Sequence, residues 1–248
     1  MQVAEYGAGN RQVIILLHGG GLAPWNYCEE ANALKGQFHV IVPVLDGHSG
    51  SDRDFSTIEE NARALIQYID TRFEGRVLLI GGLSLGGQIL IEMLSQRKNI
   101  CKFAMVESAL VLPRPVTALL IKPVFALCYP LIKMRWFAKL QFYALRIKPS
   151  LFEDYFKDSI AVTKGNMIAF LMANATYKIK SGLSACQAQT LVLVGSKERR
   201  MMKKSAEEIA GQVKKATLET LPGYYHGDLS INHADAYIKK LLHLVGDA

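Results

Sequence analysis

The chain has 248 residues, half of them hydrophobic, 9% aromatic and 21% charged, a composition that excludes disordered, collagen-like and low-complexity classes. Its formal charge of +7 comes from Lys and Arg spread along the chain with no nucleic-acid-binding motif beside them, so a basic globular protein is expected, not a nucleic-acid binder. Four scattered cysteines, Cys28, Cys101, Cys128 and Cys186, have no CxxC or Cys/His metal spacing and read as free thiols.

The N-terminal MQVAEYGAGNRQ lacks the basic-then-apolar pattern of a signal peptide, and with free thiols this gives an expectation of a cytoplasmic protein. Val13 to Leu17 (VIILL) is a buried strand running into His18-Gly19-Gly20-Gly21. A helix is expected over Trp25 to Lys35, and a second strand over His39 to Val44, followed by the loop DGHSGSD. Apolar residues at Ile58, Ala62, Leu65, Ile66 and Ile69 mark one face of a helix over Thr57 to Phe73, with Ser56 or Thr57 as its cap. Val77 to Ile80 is a third strand and Gln88 to Gln96 the helix after it; further strands are expected at Phe103 to Val106, Thr190 to Val194 and Ala216 to Leu221. A last helix covers about Asn232 to Leu244. Buried strands alternating with helices predict an α/β fold, a mostly parallel, doubly wound sheet with helices on both faces.

The alternation stops between Leu110 and Ala185. Aromatic and basic segments such as MRWFAKLQFYALRIK replace it, which predicts a helical cap at 110–185 inserted in a core of 1–109 and 186–248. The apolar run VTALLIKPVFALCYPLI (Val116 to Ile132) is short of a bilayer span and is interrupted by Lys122, Pro123 and Pro130. A pair of short helices without stable membrane insertion is expected there.

Gly82-Leu83-Ser84-Leu85-Gly86 matches G-x-S-x-G between a strand and a helix. Such a tight turn lifts a serine hydroxyl above the sheet, beside helix N–H groups that can stabilise an oxyanion. Ser84 is therefore the candidate nucleophile, and a serine needs a base oriented by an acid. Of six histidines, His226 lies in the loop after the sixth predicted strand, at the sheet edge that carries Ser84. His18, directly after the first strand, reads as structural. Glu198 is the only acid in the loop VGSKERR after the fifth predicted strand and is the expected third member; Glu107, ending the fourth, is the alternative. Backbone N–H groups of Leu85 and Gly20 are the expected oxyanion donors, with Gly21 or Leu22 as alternatives to Gly20. Asp46 and His48 in a glycine-rich turn are a turn, not a metal site.

HGGG, LDGHSGSD, GLSLGG, VGSKE and YYHGD in this order resemble the α/β-hydrolase fold superfamily in its smaller capped form, over about two-thirds of the chain. The resemblance implies Ser84 as nucleophile, His226 as base, an acid at Glu198 and no metal or organic cofactor. The acid is more often Asp; Glu198 is one methylene longer. A serine at the elbow, where relatives that open epoxides or remove halides carry Asp, argues against those reactions. The Leu-, Phe-, Tyr- and Met-rich cap suggests a small-molecule substrate with an apolar acyl or alcohol group. Its basic residues Lys122, Lys133, Arg135, Lys139, Arg146 and Lys148 read as a solvated face, with an anionic substrate or lipid surface as the alternative. The leading expectation is hydrolysis of a small or medium acyl carboxylic ester. Cleavage of a C–C, amide or thioester bond, cofactor-free perhydrolysis, and a receptor that binds without turnover are the others.

Overall fold

Strand β2 (Val13–Leu17) shows how this chain makes two cores from one sheet. Val13, Ile15 and Leu17 enter one apolar cluster and Ile14 and Leu16 the other, because successive side chains point to opposite faces. The computed structural model describes residues 1–246. Around β2 stand β1 (Val3–Tyr6), β3 (His39–Pro43), β4 (Val77–Leu83), β5 (Cys101–Glu107), β6 (Gln189–Gly195) and β7 (Ala216–Leu221). They lie in the order β1-β3-β2-β4-β5-β6-β7, with β1 alone antiparallel. The chain winds outward from β2 to β3, then returns past β2 to β4. Loops leaving β2 and β4 therefore diverge at their carboxyl ends, the crevice in which open α/β sheets bind ligands.

Helices α1 (Cys28–Leu34), α2 (Ile58–Phe73), α3 (Leu85–Gln96), α8 (Arg200–Gln212), α9 (Asp228–Asn232) and α10 (Ala234–Gly246) belong to the core. Thr57 caps α2, its hydroxyl accepting from Glu60 N–H at 3.0 Å. Four helices fill the stretch between β5 and β6: α4 (Pro115–Ile132), α5 (Arg135–Ala144), α6 (Phe152–Ala161) and α7 (Lys164–Thr176).

Four expectations are corrected. β1 is an additional edge strand; its half-exposed VAEY lacks an apolar run and is held by pairing with β3. Helix α8 is also additional, because only Ser205, Ala206 and Ile209 are buried in a sequence that otherwise reads as a soluble basic run. The expected last helix is α10, and the short α9 before it is additional. Residues 116–132 form one helix, not two. Its prolines sit on exposed positions, and the Ala126 carbonyl that Pro130 leaves without an N–H partner accepts from Lys164 Nζ at 3.2 Å.

The insertion is moored to the core by buried and half-buried polar bonds. Gln88 of α3 donates to the carbonyls of Leu110 and Asn174 at 2.5 and 3.0 Å and accepts from the Asn174 amide at 2.9 Å. Tyr177 donates to Glu92 at 3.0 Å, and Trp25 Nε1 to Asp158 at 2.9 Å. All four cysteines are free.

Candidate active site

Ser84 stands between β4 and α3 with φ of 51° and ψ of −110°, a backbone that a side chain rarely adopts. The strain is held in place by close backbone packing. A Cβ on Gly86 would collide with the Leu17 carbonyl, and one on Gly82 with the Gly86 carbonyl. Only glycine fits at those two positions, so the glycines of the motif answer to sterics.

The loops after β6 and β7 bring Glu198 and His226 to this turn. They are laced together: Lys197 N–H donates to the Tyr224 carbonyl at 3.0 Å and Gly223 N–H to the Ser196 hydroxyl at 2.8 Å. His226 Nδ1 donates to Glu198 Oε2 at 2.8 Å, and its Nε2 accepts from Ser84 Oγ at 3.1 Å. The carboxylate side is dry and the imidazole is not, the two side chains being 1% and 47% exposed. Burial alone would push the Glu198 carboxyl up. His226 beside it, the Gly195 N–H at 2.8 Å and the Ser108 hydroxyl at 2.8 Å outweigh burial and hold it below the usual carboxylate range.

Ser108 has no place in the sequence reading. It follows β5 with φ of 54°, donates to Glu198 Oε1 and accepts from Gly227 N–H at 3.4 Å, so it joins the acid to the histidine loop. Its only sequence signal is its place at the carboxyl end of a strand beside Glu107. Ser108→Ala lowers kcat about tenfold with KM unchanged, since hydrogen bonds to charged groups contribute about 1.5–3 kcal/mol. Steady-state kinetics on that variant checks this.

Glu107 faces elsewhere. Its Oε1 accepts from the N–H groups of Leu229 and Ser230 at 3.2 and 3.4 Å, at the start of α9, and it makes no hydrogen bond to His226 among the described residues. Burial pushes its carboxyl up to about 7, and Oε2 has no hydrogen-bond partner. Tyr27, Glu30 and Tyr237 are buried groups coupled to it electrostatically, and His226 and Glu198 also act on it, in opposite senses.

Gly20 and Leu85 meet at the mouth of the turn. A Cβ on Gly20 would stand 3.5 Å from that of Leu85 and 3.6 Å from the Phe170 ring. Among the loop donors after β2, Leu22 N–H is given to the Gly19 carbonyl at 3.1 Å and Gly21 N–H to His48 Nε2 at 3.0 Å. Neither Gly20 N–H nor Leu85 N–H donates to any group among the described residues, and an N–H without a protein acceptor is what an oxyanion requires.

Two buried neutral histidines shape this loop. His48 Nδ1 donates to the Asp46 carbonyl at 3.0 Å, and its ring stacks on Phe170 at 4.7 Å. His18 Nδ1 donates to the Gly19 carbonyl at 3.0 Å while Nε2 accepts from Leu45 N–H at 3.2 Å. Burial lowers His18 to about 3 and His48 to about 4. Asp46 itself pairs with Arg53 at 2.8 Å, and no cluster of three or more metal-ligating side chains occurs among the described residues.

Beside Gly20 and Gly21 opens a cavity of about 140 Å³, walled by Leu22, Phe125, Ile132, Met167 and Phe170. Gln141, Tyr155 and Ser159 add polar atoms on its insertion side.

The sequence model of the alpha/beta hydrolase family matches residues 14–240. Among solved structures, a thermophilic esterase from Thermogutta terrifontis is 18% identical with a TM-score of 0.78, covering 98% of this chain and 93% of its own. A hydrolase from Pseudomonas aeruginosa PA01 is 18% identical with a TM-score of 0.83, at 98% and 93% coverage. An enol-lactonase from Burkholderia xenovorans LB400 is 17% identical with a TM-score of 0.82, at 99% and 96%. At such identities these likenesses speak to the fold. With a seven-stranded, mostly parallel sheet between helices and a family match over most of its length, the chain belongs to the alpha/beta hydrolase family.

Proposed function

We propose that the protein is a serine hydrolase that cleaves carboxylic esters with a small or medium acyl chain. The observation that carries this reading is the relay from Glu198 through His226 to Ser84, at 2.8 and 3.1 Å, ending on a strained elbow. Ser84 Oγ attacks the ester carbonyl carbon as His226 Nε2 takes its proton; the buried Glu198 carboxylate stabilises the imidazolium. Negative charge gathering on the carbonyl oxygen is met by the N–H groups of Leu85 and Gly20 and by the positive end of α3. The imidazolium returns its proton to the leaving alcohol. Water, deprotonated by His226, then attacks the acyl-enzyme and frees the acid and Ser84. The largely apolar cavity beside Gly20 receives the acyl chain, and helices α4–α7 act as the cap that closes over it. Each proton in this scheme moves between groups of the chain, substrate and water.

A fluorophosphonate probe tests the reading without knowledge of the natural substrate. An adduct on Ser84, absent in Ser84→Ala and His226→Ala, together with p-nitrophenyl ester turnover that rises from acetate toward octanoate, is the expected result. Folded protein that takes no adduct, or takes it elsewhere, overturns the assignment and favours a binder without turnover.

A further inference from the structure

The outward faces of α4 and α5 are apolar in a way the core does not explain. On α4, Val116, Leu119, Leu120, Val124 and Leu127 recur at the three- and four-residue spacing of one helix face. Leu119 and Leu127 are 77% and 81% exposed. The opposite face does the packing, Ala118 and Ile121 meeting Ala175 of α7. On the adjoining α5, Trp136, Leu140 and Tyr143 are likewise exposed, Trp136 at 60%. Scattered apolar side chains on a surface are ordinary; two neighbouring helices presenting whole apolar faces are not.

Charge says what such a face meets. Between Glu107 and Glu153 the sequence has no acidic residue and seven basic ones. Arg135 pairs with Glu153 and Lys148 with Glu29, whereas Lys122, Lys133 and Lys139 are exposed and make no ion pair among the described residues. These lysines punctuate the apolar faces.

We propose that this face of α4 and α5 docks in the plane of an anionic lipid bilayer. Leucine, valine and tryptophan side chains enter the headgroup–acyl boundary while the lysines meet lipid phosphates. Helix α4, at 18 residues and about 27 Å, is long and apolar enough to cross a bilayer by length and composition. Spanning is not the mode, because Lys122 and Pro123 lie near its middle and its inner face packs on α7. A second copy of the chain fits poorly, because a two-fold contact sets the same unpaired lysines against each other. The inner sides of the same helices supply Phe125, Ile132 and Gln141 to the cavity beside Gly20. Docking thus places the cavity wall next to a store of acyl chains. The proposal goes beyond the hydrolase reading and does not depend on it.

Flotation of Ser84→Ala protein with vesicles separates the two. Phosphatidylcholine vesicles carrying about 30% phosphatidylglycerol bind the protein, pure phosphatidylcholine binds it at least about tenfold less, and about 0.5 M salt weakens the anionic binding. Trp136 emission shifts to the blue on binding, a change missing from Trp136→Phe. L119E/L127E loses about a hundredfold or more in vesicle affinity, two buried leucines being exchanged for charges. In a chain with Ser84 intact, L119E/L127E keeps the melting temperature and the turnover of a soluble ester. Absence of flotation with either vesicle, or flotation that survives L119E/L127E, overturns the proposal. So does a dimer in sedimentation that L119E/L127E dissolves in a protein that does not float, which assigns the face to a second copy.

Discussion

Glu198→Gln lowers kcat by about a thousand- to ten-thousandfold while leaving KM nearly unchanged, the scale seen when a triad acid becomes an amide. Glu198 Oε1 is already committed to two donors, Gly195 N–H and the Ser108 hydroxyl. In the variant the amide oxygen takes that place, which turns the NH₂ toward His226 Nδ1. Nδ1 must then accept, and the imidazole proton moves to Nε2, where it faces Ser84 and cannot serve as base. Glu107→Gln does the opposite. Its amide oxygen still accepts from Leu229 and Ser230, so kcat stays within about threefold, the cost of a small shift in the histidine loop. Its effect is on stability. Glu107 titrates near 7 in the fold, raised by burial above its ordinary 4.5. The native state therefore binds more protons than the unfolded chain between those values, and wild-type stability from this group is complete below 4.5 and lost as pH rises through 7. Glutamine has no proton to lose, so the variant gains on the wild type as pH rises across that window, up to about 3 kcal/mol. Kinetics at pH 8 and melts at pH 5 and 8 read both halves. A kinetic collapse in Glu107→Gln with Glu198→Gln active reverses the roles of the two carboxylates.

What the sequence made legible follows from physics that acts locally. A strand buried on both faces must be apolar throughout, so VIILL, HVIVP and TLVLV stand out without any neighbour being known. A strained turn under a helix admits only glycine at 82 and 86, so the elbow carries its own signature. What was illegible depends on partners far along the chain. β1 exists because β3 offers it backbone groups, and α8 because β6 and β7 need cover on one narrow stripe. Ser108 lies 90 residues from the carboxylate it bonds, and no spacing marks such a pair. The spacing of Asp46 and His48 marks a turn and nothing more. That the His48 imidazole reaches back 27 residues to Gly21 is visible only in three dimensions.

That reach makes His48 the second large effect. His48→Phe lowers kcat by about ten- to a hundredfold with little change in KM, short of the loss expected on deleting an oxyanion donor outright. Phenylalanine keeps the stack on Phe170 but loses the acceptor for Gly21 N–H. The loop is then free to turn, and Gly20 N–H loses its aim at the developing charge. His48→Gln, whose amide oxygen reaches where Nε2 stands, recovers most of the rate. A second readout separates positioning from general damage. Burial lowers His48 from 6.5 to about 4, against the partly offsetting bonds with Asp46 and Leu45. The unfolded chain thus binds the extra proton between those values. Stability from this group is complete above 6.5 and is lost as pH falls through 4, by about 1.4 kcal/mol per unit across the window. His18, lowered to about 3, acts in the same direction over a wider range. His48→Phe has no proton to exclude, so its deficit against the wild type shrinks steadily from pH 6.5 to 4 while its catalytic defect at pH 7 remains. Melts of both proteins across that range, with kcat at pH 7, decide the matter. A variant with full kcat and an unchanged stability gap means that neither the loop nor its neutral histidine holds Gly20 in place.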